Sequence, residues 1–263
     1  MTSLTGTALF ILFPLLDAVK RSFFTAMGGR FTGLRAYAEV FANKAFQLAA
    51  ANTARFTLVC IPLLFVVSLG LALAVFAAAD KAEIVKTGLL IPMAIPAASM
   101  IAVWRLLFAD SGIINGITGA ATDWFAAPYA FPVLVGTYLW KNLGYNLLLW
   151  LAGLYGIPAA RFEAAMIDGA NGFQRLLFIT LPSLRPQIFT IAALSLVNSF
   201  KVFREAYLLG GNYPDDNIYL LQHLWSHWFA SLDIDLLCAA AAVLAIALFA
   251  AIGVLRVTLR EAT

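Results

Sequence analysis

Six apolar stretches alternate with shorter polar ones along the chain, at roughly 2–24, 53–78, 87–108, 131–154, 187–209 and 236–258. Each reaches the length of about 20 residues that a helix needs to cross a bilayer. Runs this long in lipid must satisfy their own backbone hydrogen bonds, so helices are the expected form. No internal repeat stands out. One polar stretch between two of these runs is unlike the others: "RFEAAMIDGANGFQRLLFITLPSLRP", Arg161 to Pro186. It holds the acids Glu163 and Asp168 and the cations Arg161, Arg175 and Arg185. Pro158 suits the first turn of an alanine-rich helix through "AARFEAAMIDGA". Gly169 and Gly172 flank a break, with Asn171 as N-cap and Gln174 as its capping-box partner. A second helix, "GFQRLLFITL", is expected to stop at Pro182, and Pro186 suits the first turn of the next span. The small residues Ala164, Ala165, Gly169 and Ala170 allow another surface to approach, and Glu163 and Asp168 offer it charge. The plainer reading is an ordinary connector between two spans.

Composition places the whole chain in a membrane. Of 263 residues, 62% are hydrophobic and 12% charged, against about 45–50% and 25% in soluble domains. The mean hydropathy is +0.88. The length suits a single membrane domain over residues 1–263 with about six helices. A net charge of +3, from 17 basic and 14 acidic residues, carries no nucleic-acid signal. Cys60 and Cys238 lie inside apolar runs and read as small buried residues. The N-terminal run lacks a basic start and a clear cleavage site, so it reads as a first span rather than a signal peptide. Its short start fits a longer native N-terminus.

Loop charge orients the chain. With the N-terminus in the cytoplasm, the inner segments at about 79–86, 155–186 and 256–263 hold Lys81, Lys86, Arg161, Arg175, Arg185, Arg256 and Arg260. The outer loops 109–130 and 210–235 hold no lysine or arginine, and carry Asp110, Asp123, Asp215, Asp216, Asp233 and Asp235. Arg30, Arg35 and Lys44 in the first outer loop run against this arrangement. Both termini and the patterned insert then face the cytoplasm.

The insert resembles the "EAA" coupling loop of binding-protein-dependent ABC importer permeases. The matching residues are Glu163, Ala164, Ala165, Asp168, Gly169, Ala170, then Ile179, Leu181, Pro182, Leu184 and Pro186. The resemblance extends over nearly the whole chain. "FTGLRAYAEVF", "LLIPMAIPAASMIAVWRLLFADSGIIN", "FPVLVGTYLWKNLGYNLLLWLAGLYGIP" and "NSFKVFREAYLLGGNYP" look like segments of the carbohydrate-uptake branch, the maltose and glycerol-3-phosphate permease type. It implies an all-α type I permease fold of about six helices in a bacterial or archaeal cell membrane, pairing with a second permease subunit, a paralogue by the habit of that branch. Each coupling loop would dock on one of two cytoplasmic ABC ATPases, and an extracytoplasmic sugar-binding protein would deliver a sugar or sugar derivative. Residues Glu163 to Gly169 would form the coupling helix and its turn. Leu181 and Pro182 would set where the loop rejoins the membrane.

No G-x-x-x-x-G-K-[ST] phosphate loop occurs in the chain, so ATP and magnesium are expected on the partner ATPase, with no cofactor here. No nucleophile–base arrangement stands out, and the protein reads as a transporter subunit rather than an enzyme. His223 and His227, four apart, fit either a metal site or a plain interfacial pair. Ionisable groups inside spans are costly and mark pathways. Asn198, Lys201 and Glu205 share one helix face, with Arg204 beside them and Lys201–Glu205 spaced for an ion pair. Asn142 and Asn146 lie one turn apart, with Lys141, Tyr145 and Trp140 alongside. These residues are candidates for a solute pathway; holding helices together is the competing role. Sugar permeases of the resembled type often have a glutamine and an acid where Lys201 and Arg204 stand, so two cations there point to an acidic or phosphorylated sugar. An ion-gradient-driven secondary transporter is the alternative; it explains the buried charges but not the coupling-loop pattern.

Overall fold

The computed structural model describes residues 2–25, 29–78 and 83–261. Lys81 lies outside the described residues, as do the side chains of Lys86 and Arg260. Every regular element among the described residues is helical. The chain begins with α1 (Thr2–Thr7), a π turn (Ala8–Leu12) and α2 (Phe13–Arg21). Next come α3 (Arg35–Ala42), α4 (Lys44–Ala77), α5 (Glu83–Ala94), α6 (Ala97–Phe108) and α7 (Ile113–Thr118). The long α8 (Ala130–Tyr155) leads to α9 (Ala159–Ile167), α10 (Gly172–Arg175), a π turn (Leu176–Thr180) and α11 (Leu181–Ser183). Then follow α12 (Arg185–Ser199), a 3₁₀ turn (Phe200–Val202), α13 (Phe203–Gly210), α14 (Leu221–Ala230) and α15 (Ile234–Glu261).

Among the described residues, three stretches are long and apolar enough to cross a membrane: Lys44–Ala77, Arg185–Tyr207 and Ile234–Leu259. The α8–α9 pair, bent by 67°, makes a fourth if counted as one span. Three of the six expected segments are interrupted, the one at 187–209 by the 3₁₀ turn at Phe200–Val202. The segment expected at 87–108 divides into α5 and α6, each of 12 residues. Pro96 brings no N–H to the helix ladder and disfavours helical backbone at Ile95 before it. The first segment carries the π turn at Ala8–Leu12.

The chain forms two compact units, Met1–Thr53 with Tyr219–Val257, and Ala54–Ile218 with Thr258–Thr263. In the first, Ala36, Val40, Phe46, Ala49, Leu221, Leu224, Trp228, Ala239 and Ala240 make a buried core. Phe46 stacks on Trp228 at 6.5 Å between ring centroids. Asn43 caps α4, its Oδ1 accepting the N–H groups of Ala45 and Phe46 at 2.9 and 3.1 Å. The Thr53 hydroxyl accepts the N–H of Leu221 at 3.1 Å, and Asn52 Nδ2 donates to the Tyr219 carbonyl at 3.0 Å.

His223 sits in this unit on α14, 1% exposed, its Nδ1 accepting the Leu220 N–H at 3.1 Å. Burial pushes its imidazole down from 6.5 to about 4, and the charge on His227 one turn away acts in the same direction. The unfolded chain therefore takes up a proton near pH 6.5 that the folded chain refuses until about 4. Stability from the neutral ring is complete above the upper value and is lost as pH falls through that window. Thermal unfolding in detergent should show a melting temperature that drops from pH 7 to pH 4, with a shallower drop in His223→Gln. An equal slope in both proteins would rule His223 out as the cause.

In the second unit, Ala72, Val75, Leu147, Trp150, Leu151, Leu154, Ile157, Leu184 and Ile191 form the core. Trp150 buries its ring against Phe65 at 4.7 Å and donates Nε1–H to the Ser68 hydroxyl at 2.9 Å, so its one polar atom is satisfied. The carbonyl of Ser195, on α12, accepts the Tyr138 hydroxyl from α8 at 3.2 Å. Cys60, in this unit, and Cys238, in the first, are free thiols buried in their cores.

Candidate functional site

Two constructions stand out in the second unit, one on the polar insert and one between α8 and the α12–α13 region. The insert begins where α8 ends at Tyr155 and the chain turns by 67° into α9. Pro158 stands at the N-cap of α9, one position earlier than the first-turn place expected. The helix closes at Gly169, whose φ of +77° is left-handed backbone that glycine adopts without penalty. The N–H of Ala170 returns to the Ala165 carbonyl at 2.9 Å and that of Gly169 to Met166 at 3.1 Å, a Schellman-type closure. Two residues later the expected capping box is formed. The Asn171 side chain accepts the Gln174 N–H at 2.9 Å, and the Gln174 side chain accepts the Asn171 N–H at 2.8 Å. Helix, turn and helix are thus held at both sides of the break by local hydrogen bonds.

The second helix of the insert does not stop at Pro182, as expected. It widens into the π turn at Leu176–Thr180 and continues as α11 to Ser183, with Pro182 in its first turn, where a missing N–H leaves no intrahelical bond unmade. Glu163, Ala164, Asp168, Gly169 and Pro182 are exposed, Ala170 and Leu181 are half-buried, and Ala165 is buried. Arg161 reaches across from α9 to the Ser183 hydroxyl at 3.1 Å. A depression of about 470 Å³ lies between the two arms, lined by Ala164, Ala165, Asp168, Phe178 and Pro182 among others. Phe178, which lines it, is 71% exposed, and elsewhere on the insert Ile167 is 87% and Phe173 71% exposed, bulky apolar side chains that were not among the expected site residues. Their signal was present as bulky apolar residues within an otherwise polar stretch.

The second construction is a cavity of about 350 Å³ lined by Met93, Tyr138, Lys141, Asn142, Tyr145, Leu194, Asn198, Lys201, Val202 and Glu205. Of the expected pathway residues it brings together Asn142, Tyr145, Asn198, Lys201 and Glu205. It leaves out three. Asn146 is 2% exposed and donates to the Ser195 hydroxyl at 3.4 Å, a tie between α8 and α12. Arg204 is exposed and does not line the cavity. Trp140 points away, edge-on to Trp104 at 5.8 Å. Lys141 and Tyr138 line the cavity although neither headed the expectation.

The expected Lys201–Glu205 pair is not made. Glu205, 3% exposed, is paired with Lys141 on α8, and Lys201 Nζ donates to the Asn198 Oδ1 at 3.2 Å. The reason is the 3₁₀ turn at Phe200–Val202. Its tighter winding rotates Lys201 out of α-helical register with Glu205 and eclipses positions three apart, which stacks Lys201 on Asn198.

Comparison with known proteins decides what this architecture belongs to. Residues 57–261 match the family described as the binding-protein-dependent transport system inner membrane component. The chain belongs to that family. It is the permease subunit of an ATP-driven ABC importer, with ATP hydrolysis carried out by a separate chain, and the ion-gradient alternative is set aside. It is 31% identical over 221 residues to the trehalose/maltose transport system permease protein MalF of Thermococcus litoralis, covering 80% of this chain and 75% of that one. It is 30% identical over 219 residues to the sulfoquinovosyl glycerol transport system permease protein SmoG of Agrobacterium fabrum, covering 79% and 71%. Among solved structures it superposes on a chain of a bacterial ABC transporter involved in the import of the acidic polysaccharide alginate. The TM-score is 0.87 at 20% identity, covering 100% of this permease and 94% of that chain, which shows a shared fold.

Among the described residues, no group of three or more His, Cys, Asp or Glu side chains is placed to hold a metal ion. The imidazole Nδ1 atoms of His223 and His227 are engaged with the Leu220 N–H and the Tyr219 hydroxyl.

Proposed function

We propose that this permease carries a sugar or sugar derivative, and that residues 1–263 act as one transmembrane permease domain whose coupling loop, at about 155–186, faces the cytoplasm with both termini. The sugar class draws support from the trehalose/maltose and sulfoquinovosyl glycerol permeases among its relatives. The observation that carries the coupling role is the exposed helix–turn–helix, held by Gly169 and the Asn171–Gln174 box and presenting Ile167, Phe173 and Phe178 outward. Glu163, Ala164, Ala165, Asp168, Gly169 and Ala170 form the part gripped by a cytoplasmic ATPase, and Leu181 and Pro182 pass its movement to α12. The ATPase, present as two copies, binds ATP and magnesium. A second, paralogous permease completes the pore, and an extracytoplasmic binding protein delivers the sugar in a bacterial or archaeal cell membrane.

ATP binding closes the ATPases and draws the coupling loops together; the helix bundles then rock outward and accept the solute. Hydrolysis resets them. The solute passes the cavity at Lys141, Asn142, Tyr145, Asn198, Lys201 and Glu205, whose amides, hydroxyl and charges replace water around its polar groups.

The test uses the complete importer in proteoliposomes with a panel of labelled neutral and acidic mono- and disaccharides. ATP-dependent uptake of at least one sugar is expected. Asn142→Trp, which fills the cavity, should reduce it about tenfold, since overpacking a close-fitting site costs about 1–3 kcal/mol. Full uptake by that variant would remove the cavity from the route. Uptake without the ATPase would remove the coupling role.

A further inference from the structure

We propose that the cavity selects a solute bearing an anionic group on a polyhydroxylated frame, with Lys201 as the cation that meets it. This rests on the pathway reading above and narrows it. Three lining residues carry charge: Lys141, Lys201 and Glu205. Two are already matched, because the Glu205 carboxylate is held by Lys141. Lys201 is left with the neutral amide oxygen of Asn198 at 3.2 Å. The lining therefore carries one positive charge in excess, on a side chain that remains accessible.

A neutral sugar offers hydroxyl dipoles to that charge. A carboxylate, sulfonate or phosphate offers a full opposite charge and a charge-assisted hydrogen bond, about twice as strong as a neutral one. Lys141 is unsuited to the same task. Drawing it toward a solute would leave Glu205 buried without its partner, which is strongly unfavourable. Arg204, the other cation of this short stretch, does not line the cavity. The anion site thus falls to Lys201 alone. Asn198 adapts to it, since an amide presents either an acceptor oxygen or N–H donors. Asn142 and Tyr145 on the facing helix remain for the solute's hydroxyls.

The experiment is calorimetric titration of the complete purified importer at low ionic strength with four probes: D-glucose, D-glucuronate, D-glucose 6-phosphate and a 6-sulfonate of glucose. At least one anionic probe should bind about tenfold more tightly than D-glucose. Which of the three does so identifies carboxylate, phosphate or sulfonate as the group recognised. Lys201→Gln should erase the preference and Lys201→Arg should keep it. Glucose binding as tightly as every anionic probe, no binding of any probe, or a preference that survives in Lys201→Gln would each overturn the proposal. If Asn142→Trp blocks uptake while the anion preference is absent, the pathway stands and this inference alone falls. If Asn142→Trp leaves uptake intact, both fall.

Discussion

Replacing Gly169 with leucine is expected to leave the permease folded in the membrane and to lower ATP-driven uptake by on the order of a hundredfold, a loss of about 3 kcal/mol of coupling. Two properties of the position separate those effects. A Cβ added at Gly169 meets no heavy atom within 4 Å, so the branch point of a new side chain has open space. Its φ of +77° costs a branched residue about 1–2 kcal/mol, which the turn relieves by relaxing. That relaxation shifts Asp168 and the end of α9 relative to the Asn171–Gln174 box, and the leucine itself stands on the surface proposed above to meet the ATPase. Gly169→Asn should do far less harm, because asparagine tolerates left-handed backbone. The measurements are uptake in proteoliposomes and the amount of ATPase that co-purifies with each variant. A Gly169→Leu importer that transports as well as the parent protein would show that this turn does not carry the motor's movement.

Local features of the fold and loop were legible in the sequence, and non-local ones were not. The Asn171–Gln174 box was readable because both partners and both N–H groups lie within four residues. Its neighbour Gly169 was readable because a glycine after an alanine-rich helix has few other uses. The fourth apolar segment, expected at 131–154, is a helix from Ala130 to Tyr155. Proline was less transparent. Pro62 and Pro92 lie inside α4 and α5, whereas Pro96 divides α5 from α6. The same ring breaks a helix or is absorbed by it according to what neighbouring elements do with the freed carbonyl. The ion pair in the cavity shows the limit most clearly. Spacing along one helix favoured Lys201–Glu205, but a three-residue 3₁₀ turn spoils that register, and the partner Glu205 does find lies on α8. No local rule ties two residues on separate helices together. The polar face around Asn198 was still found, since intramembrane charge is costly wherever its partner lies.

The largest structural effect is expected at Gly144, on the cavity-bearing stretch of α8. A methyl group added there would stand 2.0 Å from the carbonyl oxygen of Leu89 and 2.7 Å from its carbonyl carbon, with Leu90 Cα at 3.3 Å. All three are backbone atoms of α5, so no rotamer change makes room. The helices must separate or tilt, as small residues at membrane helix contacts exist to avoid. Gly144→Ala should therefore cost about 3 kcal/mol, the upper end for overpacking, and lower the yield of assembled importer accordingly. The damage reaches the cavity too. Lys141, Asn142 and Tyr145 ride on the same turns of α8, and Met93 lines the cavity from α5. Gly153, on the same helix, supplies the contrast. There an added methyl meets side-chain atoms, Gln187 Cγ at 2.6 Å and Leu184 Cδ2 at 2.7 Å, which can move. Gly153→Ala should cost about 1 kcal/mol. Thermal unfolding of the detergent-solubilised importer and its elution in size exclusion would rank the two variants. Equal stability for Gly144→Ala and the parent protein would show that α5 and α8 do not approach at this glycine.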